Sequence, residues 1–183
     1  MKKVFVLLFT MVLLSCQSEP NKTKKEDNKA TESTQQEAKK SKTLILEIDL
    51  ETSVPEDMRL MSINTFLNNG QFMDLYITQK INANETSKKI RFEMPENITP
   101  DNFLGISFGA KSIKEVKINS INLSFGDLNY NISSEAVLDF FMTNKFVDYD
   151  ENSKVFKTKR VDGTHNPILV LRKLYIDKIQ GIK

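Results

Sequence analysis

The chain of 183 residues has one Cys, one His and no Trp, with only six Gly and five Pro. A single Cys excludes an internal disulfide and any cysteine-rich zinc site. A single His excludes a multi-histidine metal centre and leaves one candidate for histidine-based catalysis. Without Trp, any aromatic platform must come from the four Tyr or from exposed Phe. Charge of one sign is also missing: 26 Lys+Arg against 24 Asp+Glu give a net charge of +2, far from the excess that marks nucleic-acid binders. The length suits one domain of ordinary size.

The longest uncharged apolar run, Val4 to Leu14, follows the basic start Met1-Lys2-Lys3. Eleven residues rise only about 16 Å as a helix, too short for a hydrocarbon core of about 30 Å. It therefore reads as the apolar core of a secretory signal. Leu13-Leu14-Ser15-Cys16 closes it and resembles the bacterial lipobox. That resemblance implies cleavage after residue 15, a lipid on the Cys16 thiol and an acylated new N-terminus. Two or more acyl chains, each buried CH₂ contributing about 0.8 kcal/mol, make a stable anchor. Gln17 stands where Asp signals inner-membrane retention in such lipoproteins, so the resemblance implies a bacterial cell envelope location, lipid-anchored at the outer membrane.

Residues 17–42 change character. Only Ala30 and Ala38 are apolar; seven are Lys and five acidic. Such a stretch buries too little apolar surface to offset its ordering entropy, and it reads as a disordered tether, roughly 28 Å long as a coil. Setting aside Lys2, Lys3 and the tether charges leaves 17 basic and 19 acidic residues over 43–183. The basic surplus belongs to leader and tether, the remainder is mildly acidic, and nucleic acid is not an expected partner. The expected organisation is a signal peptide at 1–15, the lipidated Cys16 and tether at 16–42, and one domain at 43–183.

Period two dominates that domain. Leu44, Leu46, Ile48 and Leu50 alternate with Glu47 and Asp49, the pattern of a half-buried strand. Ile90, Phe92 and Met94 alternate with Lys89, Arg91 and Glu93; Leu104, Ile106 and Phe108 alternate with Gly105 and Ser107. Met73, Leu75 and Ile77 alternate with Phe72, Asp74 and Tyr76. Between Lys114 and Phe125 the phase slips: Val116 and Ile118 are even, Ile121, Leu123 and Phe125 odd. A bulge or break near Asn119-Ser120 restores a common face. Gly126-Asp127 turns the chain into Leu128–Ile132. Ser133 or Ser134, Glu135, Val137, Leu138 and Phe141 have helical spacing, ending near Thr143-Asn144. A hairpin follows, Lys145 to Tyr149 and Lys154 to Arg160 around Asp150-Glu151-Asn152-Ser153, then apolar runs at Ile168–Leu171 and Leu174–Ile176. Short strands with one short helix predict an all-β, antiparallel, two-sheet β-sandwich.

The order Asn69-Gly70-Gln71-Phe72-x-x-Leu75-Tyr76, Asn84-Glu85-Thr86-Ser87, Ile90-Arg91-Phe92-x-Met94-Pro95, Phe103–Gly109 and Val116-Lys117-Ile118-x-x-Ile121 is similar to bacterial extracytoplasmic carbohydrate-binding modules of the jelly-roll, galactose-binding-like type. The similarity covers about 43 to 180. It implies a sandwich fold and a non-catalytic module that binds glycan. The family has no uniform binding motif, so it transfers no binding residue.

Chemistry-bearing groups are few. Glu47 and Asp49 stand roughly 6.6 Å apart by strand rise, within the range of glycosidase carboxylate pairs. Those pairs straddle a cleft, whereas two acids on one outward face read as a solvated edge. Asp148, Asp150 and Asn152 open like a calcium loop, but Ser153 and Lys159 stand where an EF-hand needs Gly and Glu. That leaves a looser calcium site or a plain Asp- and Asn-rich hairpin turn, and the turn is the simpler reading. His165 has no Gly-x-Ser-x-Gly partner and reads as a loop residue. No enzyme activity, metal or cofactor is expected. For sugar, Tyr76 with Asp74 from one strand face and Tyr130 from the strand after Gly126 combine a ring face with a hydroxyl acceptor. The expected function is a membrane-anchored lipoprotein whose sandwich binds glycan. The alternative is an assembly lipoprotein that binds other envelope proteins. A concave cluster of Tyr with Asp or Asn favours the first, a flat apolar patch the second.

Overall fold

The computed structural model describes residues 42–66, 70–82, 87–96 and 98–182. The expected signal peptide, Cys16 and nearly all of the tether lie outside the described residues. The strands are β1 (Leu44–Thr52), β2 (Met58–Phe66), β3 (Phe72–Gln79), β4 (Ser87–Glu93), β5 (Phe103–Ser107), β6 (Glu115–Phe125) and β7 (Leu128–Ser133). A 3-10 turn, Ser134–Ala136, runs into α1 (Val137–Phe140). Then come β8 (Phe141–Thr143), β9 (Val147–Asp150), β10 (Val155–Thr158), β11 (Ile168–Leu171) and α2 (Lys173–Gln180).

Two antiparallel sheets pack face to face as a β-sandwich. The six-stranded sheet runs β4-β1-β6-β10-β9, with β7 also on β6; the five-stranded sheet runs β3-β2-β5-β11-β8. The alternations place the core. Leu44, Leu46, Ile48 and Leu50 point inward from β1, beside Ile90 and Phe92 of β4 and Ile121 and Leu123 of β6. Leu60, Leu104, Ile106, Leu169 and Phe141 close over them from the other sheet. Burying side chains of this size contributes about 1.5–3 kcal/mol each.

The phase slip in β6 is a bulge. Asp49 pairs with Ser120 and Leu50 with Ile118, so Asn119 is the extra residue. Its amide donates to Asp49 (3.2 Å) and Glu51 (3.3 Å) on the outer face. Ile118 and Ile121 thereby both reach the core.

Three local features differ from the sequence expectation. The helix after Ser133 stops at Phe140, because Phe141, Met142 and Thr143 pair with Leu171, Val170 and Leu169 of β11. Leu174–Ile176 belongs to a second helix, α2, rather than to an extended run. Ile176 and Ile179 are buried one turn apart while Leu174 is exposed. Lys173 pairs with Asp177 at 2.6 Å, and Gly181 closes the helix at φ +77°. β2 escapes the period-two reading because both its faces carry apolar residues, Met58 and Leu60 inward and Met61 and Ile63 outward, with Arg59 and Ser62 breaking the alternation. Among the described residues, no helix is long and apolar enough to cross a membrane.

Candidate functional site

The two outer faces of the sandwich differ in chemistry. On the six-stranded sheet, directly opposed residues form polar rows. One runs Asn131–Asn122–Glu47–Arg91, the next Ser133–Ser120–Asp49–Lys89. Arg91 donates to Glu47 at 2.6 Å and to Glu93 at 3.1 Å, and Lys89 lies 3.9 Å from Asp49. These acceptors hold the Arg91 guanidinium above its ordinary pKa. A shallow recess of about 240 Å³ lies among Glu47, Asp49, Lys89, Arg91 and Asn122. Glu47 and Asp49 are thus paired members of a hydrated face. Exposed pairs of this kind contribute little to stability.

The outer face of the five-stranded sheet carries an apolar row beside a polar one, Thr78–Arg59–Ser107. Tyr76 of β3 opposes Met61 of β2, which opposes Gly105 of β5, then Val170 of β11, then Met142 of β8. This row crosses all five strands. Tyr76 is 54% exposed and Met142 44%. Ile63 and Phe103 are paired one step along on the same face. Gly105 has a steric reason: a Cβ there would lie 2.8 Å from the Phe103 ring and 2.9 Å from Ile168 Cγ2. The Phe103 ring leans over the gap, and the row stays level.

Beside Met61 the row meets a polar pocket of about 190 Å³ lined by Asp57, Arg59, Ser107, Lys111 and Asn166 among others. Its wall, residues 109–114, is held from below. The Glu56 carboxylate accepts from Lys111 N–H (2.7 Å) and Ser112 N–H (3.1 Å) and is paired with the Lys114 ammonium. Lys114 Nζ also donates to the Phe108 carbonyl at 2.8 Å. The two side chains are only 8% and 2% exposed. Burial works against the charge on Glu56, but Lys114 and the two N–H groups still hold its carboxyl below the usual range. Burial also pulls Lys114 below the usual lysine range, against the pull of Glu56. Gly109, at φ +89°, passes so close to Glu56 that a Cβ would meet its carboxylate carbon at 2.5 Å.

His165 is a second brace for this wall. It is buried, and Nδ1 lies 3.0 Å from the Ala110 carbonyl. A carbonyl only accepts, so Nδ1 carries the proton. Asp150 accepts from Asn152 and Ser153 N–H and pairs with Lys157 at 3.0 Å. The Lys157 hydrogen bond and those N–H groups lower its pKa to about 2. This is the geometry of a closed hairpin turn. Among the described residues, no three His, Cys, Asp or Glu side chains come together where they could hold a metal ion.

Of the residues singled out for sugar, Asp74 and Tyr76 share the outer face of β3, opposite half-buried Leu75 and Ile77. Phe72, on the same side, is 59% exposed, so this is not the core side. Tyr130 does not join them. It lies on β7 of the other sheet and opposes Leu123, an inward residue. Its ring packs on Phe140 at 5.6 Å and Tyr175 at 5.5 Å, and Lys178 Nζ stands 6.0 Å from its centroid. Tyr130 is therefore a docking ring for α2. The signal was available: Leu128, Tyr130 and Ile132 share one parity, and Ile132 is core. Met61, Val170 and Met142 were missed because no single segment displays the row they form.

No protein-family model, no curated protein and no solved structure matches this chain.

Proposed function

We propose that this chain is a non-catalytic binding module held at the bacterial envelope by lipid on Cys16, at the outer membrane, and that it binds another envelope protein through the outer face of its five-stranded sheet. The observation that carries the reading is the apolar row Tyr76–Met61–Gly105–Val170–Met142. Exposed apolar area costs roughly 25 cal/mol per Å² in lost burial, and monomers rarely leave a broad apolar patch open to water. The opposite face, covered in paired charges and amides, carries no such cost.

A second reading has its own support. Tyr76 and Asp74 lie on that same face, and Met61 joins the row to a pocket with Asp57, Arg59 and Asn166. An aromatic ring beside carboxylate, guanidinium and amide groups is suitable chemistry for glycan. The polar part is small, about 190 Å³, against the 300–1,000 Å³ usual for ligand pockets. This favours the protein reading.

The test runs the lipidated chain and its Met142→Glu variant side by side. Co-purification from detergent-solubilised membranes asks for a defined protein partner, and a glycan array asks for sugar. Retention of one protein by the parent chain, lost in Met142→Glu, supports the first reading. Array binding that disappears in Tyr76→Ala and Asp74→Ala supports the second. The absence of both results would overturn the binding-module reading.

A further inference from the structure

The two sheets end in several edge strands, and all but one carry a device that discourages further pairing. β4 presents Lys88, Lys89, Arg91 and Glu93. β9 has four residues, two of them Asp148 and Asp150, and β8 has three. β7 is flanked by the ring packing of Tyr130 with Phe140 and Tyr175. β3 is different. It is eight residues long, Phe72 to Gln79, with one charge and no Lys or Pro. Its Phe, Tyr, Ile and Thr favour extended structure. Among the described residues it pairs only with β2. Met73 has the inward parity of Leu75 and Ile77, yet it is 44% exposed. At its far end β3 is tied to β4, where the Gln79 amide donates to the Arg91 carbonyl at 2.7 Å; its first half, around Met73, is the more exposed part among the described residues.

We propose that two copies of this chain dimerise by antiparallel pairing of β3 with β3 about a two-fold axis through Leu75. The strand's own sequence selects both partner and register. Directly opposed residues in an antiparallel pair share a face, so the axis must pass through a residue position that keeps inward opposite inward. Centring on Asp74 sets two carboxylates against each other, which is unfavourable. Centring on Leu75 sets Leu75 against Leu75, Met73 against Ile77 and Asp74 against Tyr76 of the second copy. Met73 then gains Ile77 of the second copy as an apolar neighbour, and each phenol O–H meets a carboxylate acceptor. The five-stranded sheets join into one, and each apolar row ends at the axis with Tyr76 against Asp74 of the second copy.

This inference does not rest on the partner reading above. Met142→Glu alters the row at the far edge of the sheet and leaves β3 untouched, so the two can fail separately. The test is sedimentation velocity over roughly 1–100 µM, the range of ordinary reversible dimers, on the full chain carrying Cys16→Ser. That background removes both lipid and thiol cross-linking. Two substitutions at exposed Tyr76 have opposite expected effects. Tyr76→Glu places a second carboxylate opposite Asp74 twice per dimer and weakens association at least about tenfold, or ~1.4 kcal/mol. Tyr76→Lys places an ammonium there and preserves or tightens it. Circular dichroism confirms that both variants fold. A chain monomeric throughout the range, a dimer indifferent to Tyr76→Glu, or equal loss in both variants overturns the proposal.

Discussion

Replacing Glu56 by Ala removes the acceptor at the centre of the pocket wall. In the native chain this carboxylate meets the Lys114 ammonium and the N–H groups of Lys111 and Ser112. Lys114 is then left 2% exposed with the Phe108 carbonyl, 2.8 Å away, as its remaining partner. Breaking a buried pair from one side costs about 3–5 kcal/mol, because the surviving charge stays desolvated. A domain has only about 5–15 kcal/mol in all, so the loss is a large share. With a urea slope of about 1–3 kcal/mol/M, the midpoint falls by roughly 1–5 M, read by far-ultraviolet circular dichroism. The double variant Glu56→Gln/Lys114→Met removes both charges and keeps an amide oxygen for the two N–H groups. It is expected to recover more than half of the loss, since buried pairs exchange for neutral groups at little cost. A Glu56→Ala loss below about 1 kcal/mol, or a double variant no better than the sum of its singles, refutes the reasoning.

Acid destabilises the fold through the same carboxylate. The folded state holds Glu56 and Asp150 below their ordinary values, so each stabilises above its unfolded pKa and loses that contribution as pH falls through the folded one. For Asp150 the window runs from about 4 down to about 2; urea midpoints from pH 6 to pH 2.5 should fall, less steeply in Glu56→Gln. Deleting Asn119 removes the extra residue and leaves Ile118 and Ile121 two positions apart, still on one face, so thermal melting should show a cooperative fold that has lost only the amide contacts to Asp49 and Glu51; inserting a second residue there should instead throw Ile118 out of phase and abolish folding. Tyr130→Ala strips a ring from the α2 contact; it should lower the melting temperature by several degrees, about 2–4 °C per kcal/mol, with partner and glycan binding unchanged per folded molecule. Cys16→Ala should move the chain from the detergent-soluble membrane fraction to the aqueous fraction.

The legible part of the fold is the part in which one strand face is core and the other is wet. β1, β4 and the two halves of β6 alternate cleanly, and the change of parity between Ile118 and Ile121 gives the bulge almost to the residue. Legibility fails where both faces of a strand carry apolar residues. Met58–Ile63 shows no alternation because Met61 and Ile63 serve the outer row while Met58 and Leu60 serve the core. Leu174-Tyr175-Ile176 is too short to show a helical period, which emerges only with Ile179 and Gly181. Asp74 and Tyr76 could be placed on an outer face because Leu75 and Ile77 claim the inner one. The row they belong to could not be read, since its members come from five strands brought together only by sheet order.

Site-specific photocross-linking in native membranes shows which sheet face meets a partner. A photoreactive residue is placed at Met142 on the apolar row, and separately at Asn122 on the polar face of the other sheet. The account predicts one discrete protein adduct from position 142 and none from position 122. Adducts from 122 alone, or the same adducts from both positions, would contradict the assignment of the five-stranded sheet as the working face.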